Sequence, residues 1–178
     1  MIANGTSPAA LAEQGKKEYE KGNHRAAAHF FLQAAQAFDS AGDRLNAAEM
    51  KNNQSVALLQ AGRAGEALQA TEGTEAIFEQ ADDLKRKGIA VSNRAAALEG
   101  LKRWDEALAE YERAAAILEE AGEGDMHSMV RKASANIHIK RGHLTGTQMD
   151  IYDSLRLVEK PSFTQRLMKF LMRIGLVR

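Results

Sequence analysis

The chain has 178 residues, enough for one domain with a sizeable core, and its 24 basic and 24 acidic residues leave no overall bias toward nucleic acid or anionic lipid. It contains no cysteine, which excludes disulfides, thiolate nucleophiles and cysteine metal sites. No apolar run approaches the roughly 20 residues that span a bilayer, and the opening MIANGTSPAA has neither the basic start nor the apolar stretch of a secretory signal, so a cytoplasmic protein is expected.

Residues 1–6 are expected to be a flexible N-terminus. Pro8 and Pro161 then bracket an Ala-, Glu-, Leu- and Arg-rich stretch poor in β-branched residues, which predicts an all-α protein. Within that stretch the sequence repeats. GNHRAAAHFFLQA (Gly22–Ala34), GRAGEALQATEGT (Gly62–Thr74) and KRWDEALAEYERA (Lys102–Ala114) align without gaps at a spacing of 40 residues, and the next step along reaches GHLTGTQMDIYDS (Gly142–Ser154). The copies run over about 7–42, 43–82, 83–122 and 123–159.

Each copy is predicted to hold two helices. The third shows both: Ile89–Leu101 with Ala90, Asn93, Ala97 and Leu101 on one stripe, and Trp104–Ala121 with Trp104, Leu108, Tyr111, Ala115 and Leu118 on another. Lys102-Arg103 turns between them, where the other copies carry Gly22, Gly62 or Gly142, residues suited to a left-handed helix end. The links Ser40–Asp43, Asp82-Asp83 and Gly122–Asp125 break the helices again, and their aspartates are placed to cap the helix that follows. Small residues at fixed places (Ala27, Ala67, Ala107, and Ala34 and Ala114) allow close helix approach, while Phe31, Trp104 and Tyr111 fill the next layer. One hairpin cannot bury both its faces, so the copies are expected to stack.

These residues resemble tetratricopeptide repeats, in the longer, 40-residue subtype. The third copy carries the likeness best through Leu98, Trp104, Ala107, Tyr111 and Ala114. The first follows with Leu11, Gly15, Gly22, Ala27, Phe31 and Ala34. The second and fourth depart from the pattern, with Thr71 and Thr74 for an aromatic and an alanine, and Thr147 and Ser154 for two alanines. The family's repeat-ending proline is absent throughout. The resemblance implies a right-handed superhelical solenoid of four helix-turn-helix hairpins that binds a partner protein or peptide rather than catalysing a reaction.

In this family the first helix of each hairpin lines the concave groove. That geometry would put Lys16 and Tyr19 there from the first copy, and Asn52, Asn53, Val56 and Leu59 from the second. Ser92, Asn93, Ala96 and Glu99 would come from the third, and Lys132, Asn136 and Ile139 from the fourth. Asn53 and Asn93 stand one period apart, where longer-repeat scaffolds clasp ligand backbone; an amide offers both donor and acceptor to a peptide group. The carboxylate clamp of chaperone-binding members is not expected, because Ala12, Lys16, Ile89 and Asn93 occupy its other positions and only Asn53 fits.

Residues 160–178 hold five basic residues and no acid, and read as one more helix with Phe163, Leu167, Phe170, Leu171 and Ile174 on a broad apolar face. The preferred reading is a helix that caps the fourth copy, which would otherwise expose an apolar patch. The alternative is a peripheral membrane or self-association helix acting through 162–178. No metal, cofactor or catalytic motif is found: the five histidines lack ligand spacing, and neither a nucleophile elbow nor a phosphate loop occurs. The basic residues Lys85-Arg86-Lys87, Arg94 and Lys102-Arg103 lack interleaved aromatics, so they read as a solvated face rather than a nucleic-acid surface.

Overall fold

A computed structural model of the chain describes residues 7–141, which form eight α-helices and, among the described residues, no strand. In chain order these are α1 (Pro8–Glu20), α2 (His24–Ser40), α3 (Arg44–Gln60), α4 (Ala64–Ala70), α5 (Thr74–Gln80), α6 (Leu84–Gly100), α7 (Trp104–Glu120) and α8 (Gly124–Arg141). The all-α expectation is met. The second half of the fourth copy, residues 160–178 with their expected helix, and residues 1–6 lie outside the described residues.

The helix starts follow from local chemistry. Ser7 caps α1 by accepting from the Ala10 N–H at 3.2 Å, and Pro8 sits where its missing N–H costs nothing. Asp43 and Asp83 cap α3 and α6, accepting from the N–H groups of Asn46 (3.1 Å) and Arg86 (2.8 Å). Asp125 corrects the pattern. Helix α8 begins at Gly124, so this aspartate lies inside the first turn, where its charge meets the positive end of the helix dipole. The first helix of the third copy is also longer than its apolar stripe, starting at Leu84 rather than Ile89.

Six of the helix ends share one closure. The carbonyls of Glu18, Phe38, Leu58, Phe78, Leu98 and Leu118 each accept from the N–H five residues on, at 2.9–3.0 Å. The residue before each donor (Gly22, Gly42, Gly62, Asp82, Lys102 and Gly122) has φ between 55° and 80°. The closure recurs every 20 residues, so each 40-residue period contains two units of equal length.

One unit breaks its own rule. The second helix of the second copy, expected to be continuous, is split into α4 and α5 by a turn at 71–73. Gly73 sits at φ 75°, and the Thr71 N–H donates to Leu68 three residues back rather than to Ala67 four back. The released carbonyls find hydroxyls. Ser55 Oγ on α3 donates to the Ala67 carbonyl at 2.8 Å, Thr71 Oγ1 to Leu68 at 2.7 Å and Thr74 Oγ1 to Thr71 at 2.8 Å. Hydroxyls so placed compete with the helical ladder, and the left-handed glycine completes the break. No residue is added: 64–80 occupies the same span as the unbroken 24–40 and 104–120.

Packing follows the 40-residue period. Ala27, Ala67 and Ala107 are wholly buried, as are Ala34, Thr74 and Ala114. Gly15, Ser55, Ala95 and Ala135 form another buried small-residue series. A methyl added at Gly15 would stand 2.8 Å from two ring carbons of Phe31, so this glycine sets how closely α1 meets α2. Successive helices pack on one another except α4 and α5, which pack instead on α3 and α6, and α3 and α6 also meet directly. The buried apolar residues fall into a first core (including Phe31, Met50 and Leu58), a second (including Val91, Tyr111, Leu118 and Ile137) and a small third formed by Ala48, Phe78 and Ala90.

Candidate functional site

Helices α1 and α3 both pack against α2, each joined to it by a tight turn, so they run in the same direction. Between them lies a cleft of about 370 Å³ lined by Ala12, Glu13, Lys16, Tyr19, Phe31, Glu49, Met50, Asn53 and Val56. Phe31 and Met50 are buried and form its floor; Lys16 is exposed, and Tyr19, Asn53 and Val56 are half-buried at its sides. Along α1 the order is Glu13, Lys16, Tyr19, and along α3 it is Glu49, Asn53, Val56. Acids therefore stand at one end of the cleft and apolar side chains at the other.

Local contacts hold this lining in place. The Tyr19 ring meets the His24 ring with centroids 5.1 Å apart. Its neighbour Glu18 accepts from Lys21 Nζ (2.6 Å) and Asn23 Nδ2 (2.7 Å), tying the end of α1 to the turn. Those two hydrogen bonds, from Lys21 first, hold the Glu18 carboxyl below the usual carboxylate range.

Four residues expected in the groove thus share one cleft: Lys16, Tyr19, Asn53 and Val56. The others are placed differently. Asn52 is a correction: it is buried, 4% exposed, and its Oδ1 has no hydrogen-bond partner among the described residues. Leu59 packs against the first core and Ala96 against the second. Ser92 donates its hydroxyl to the Ile89 carbonyl of its own helix at 2.8 Å. Asn93 is half-buried on α6, outside the cleft that holds Asn53. Glu99 is committed, accepting from Tyr111 Oη and Lys140 Nζ, each at 2.9 Å. Burial, and then the Glu99 carboxylate, push the Tyr111 phenol well above its ordinary pKa, so it remains a donor. Lys132 and Asn136 are exposed on α8. The side chain of Ile139 lies outside the described residues, as do Phe163, Leu167, Phe170, Leu171 and Ile174.

Glu13 and Glu49 are cleft residues that sequence reasoning missed, yet both could be reached from Asn53. Glu13 stands one period before it, and Glu49 one helical turn before it on α3.

The basic residues of the third copy are mostly neutralised. Lys85 pairs with Glu123 (2.9 Å), Arg86 with Asp83 (2.6 Å) and Glu49 (3.3 Å), and Lys87 with Glu79 (2.8 Å). Arg94 pairs with Glu110 (2.6 Å), and Arg103 forms a two-pronged pair with Glu106 at 2.7 and 2.6 Å. Glu75 bridges α5 to Arg113 of α7 at 2.6 Å. Among the described residues no group of His, Cys, Asp or Glu is arranged to hold a metal ion, and no helix is long and apolar enough to cross a membrane.

No protein-family model matches the chain. No curated protein matches it either.

Proposed function

We propose that the chain is a non-enzymatic adaptor of the tetratricopeptide-repeat type. In this reading its hairpins stack as a right-handed solenoid, and a segment of a partner protein lies along the face formed by α1, α3, α6 and α8. The repeating helix closures and the fixed small-residue positions support the repeat assignment. The observation that carries the binding role is the cleft between α1 and α3, in which side chains from two copies line one concavity. The side-chain amides of Asn53 and Asn93 make no hydrogen bond to another described residue, which leaves both available to a peptide backbone. The paired cations of the third copy favour a protein ligand over a nucleic acid, since each paired cation would have to give up its acid to meet a phosphate.

The test is a pull-down from native lysate with the intact protein and with Asn53→Ala/Asn93→Ala, the fold of both checked by circular dichroism. Loss of a partner by the folded variant is the expected result. Equal retention by both would move recognition off this face. The alternative role for 160–178, in membrane contact or self-association, gains no support from the described residues.

A further inference from the structure

We infer that the cleft between α1 and α3 takes an extended partner segment with a basic residue two positions away from a large apolar one, of the kind Arg-x-Leu. This rests on the groove reading above and specifies the chemistry of its occupant.

The cleft carries unspent charge. Glu13 is exposed and forms no ion pair with a described residue. Glu49 has one, to Arg86 Nη1 at 3.3 Å, and that arginine is held more closely by Asp83, whose carboxylate meets its Nε at 2.6 Å. Two carboxylates thus line the cleft from the N-terminal halves of α1 and α3 with free acceptor capacity. A guanidinium, with five donors in a planar fork, matches two such carboxylates better than any other side chain.

The other end has the opposite character. Tyr19 and Val56 stand six and seven residues further along their helices than Glu13 and Glu49, above the floor of Phe31 and Met50. A cleft of about 370 Å³ holds a short extended segment, not a folded element. Between the two ends, Lys16 offers donors and Asn53 both a donor and an acceptor, as an extended peptide backbone requires.

The spacing follows from geometry. From Glu13 to Tyr19 is six residues of helix, or about 9 Å at the helical rise. An extended chain advances about 3.3 Å per residue and points alternate side chains to the same face. Residues two apart therefore share a face about 7 Å apart, and the length of an arginine side chain makes up the difference.

The experiment is selection of a random-peptide display library on the full chain, followed by fluorescence anisotropy with synthetic peptides made from the selected consensus. Arg or Lys two positions from Leu, Ile, Met or Phe is the expected consensus. Changing the basic residue to Glu should weaken binding by about tenfold or more, as for loss of a close charge pair. Glu13→Gln/Glu49→Gln should remove that preference and leave the apolar one. Glu13→Arg/Glu49→Arg, melting as a folded protein, should select peptides with an acid at the same position. Peptides that bind, are lost by Asn53→Ala/Asn93→Ala, and show no basic–apolar pair would overturn this inference while the groove reading stands. A basic–apolar consensus indifferent to both carboxylate variants would also overturn it. Failure to enrich any peptide over a heat-denatured control would remove both.

Discussion

At Gly15 two residue-level effects oppose each other. Alanine is the better helix former by about 1 kcal/mol. Its methyl, however, would sit 2.8 Å from ring carbons of Phe31, a side chain that is itself 6% exposed and has little room to yield. Overpacking of this kind costs about 1–3 kcal/mol. Gly15→Ala is therefore expected to destabilise by about 1 kcal/mol net and lower the melting temperature in a thermal scan. Lys102 presents the reverse case. It occupies a left-handed helix end at φ 59°, a position held by glycine at four of the six closures. Lys102→Gly should relieve strain of about 1 kcal/mol and raise the melting temperature. The sequence allowed Lys102 to be placed in a turn, because the residues one and two periods away are glycines. It did not show that Asn52 is buried while Asn53 reaches the cleft. Adjacent positions on a helix differ by about 100° in direction, so a small error in the face assigned to α3 exchanges the two. Glu99 was read as a groove residue for a related reason: its partners Tyr111 and Lys140 come from α7 and α8, and no spacing within one helix reveals them.

Among the elements, the split between α4 and α5 is the departure from the expected pattern. Its causes are all present in the stretch Thr71-Glu72-Gly73-Thr74: two hydroxyls able to bond carbonyls and a glycine able to turn left-handed. They were read as substitutions within a continuous helix, since the unbroken 40-residue register argued for continuity. The partner that makes the split tolerable is Ser55, on another helix. Ser55→Ala would leave the Ala67 carbonyl buried without its hydroxyl and should cost about 1–3 kcal/mol, measured by chemical denaturation. Gly73→Ala should cost about 1 kcal/mol, because the alanine must hold φ near 75°. Gly73→Asn should cost less, since asparagine tolerates that conformation. Helix starts were more legible: Asp43 and Asp83 cap as their positions suggest. The Asp83 carboxyl is held below its ordinary pKa chiefly by the Arg86 backbone N–H; burial opposes this, and the Arg86 side chain adds to the lowering. A depressed folded-state pKa contributes stability that is present above the unfolded value, about 3.9, and lost as pH falls through the folded one. Asp83→Asn keeps a capping oxygen but removes the charge. It should be less stable than the parent at neutral pH, and the two should converge as denaturation is followed downward from about pH 4.

At the scale of the molecule, the period foretold where the small buried residues lie, and it did not foretell how the charges would pair. Glu75, Arg94, Glu110 and Arg113 come from α5, α6 and α7, and their meeting depends on how three helices sit together. Nor did it show that the buried apolar residues separate into two main groups. Helix α4 contributes Ala67 to the first, while α6 and α7 build most of the second. The groups are laced together by single residues: Ala97 of α6 belongs to the first, and Leu68 of α4 packs against both. This partition gives the exposed Glu72–Gly73 turn a further significance. The chain passes there from one group toward the other, at a place already outside the helical ladder. Severing that peptide bond would cost no helical hydrogen bond, and each piece would keep most of one core. Fragments 1–72 and 73–178, expressed together, should copurify and give the circular dichroism of the intact chain, whereas a pair divided at Ser92 within α6 should not. The molecule would then be divisible, and two separately encoded halves could report their own reunion.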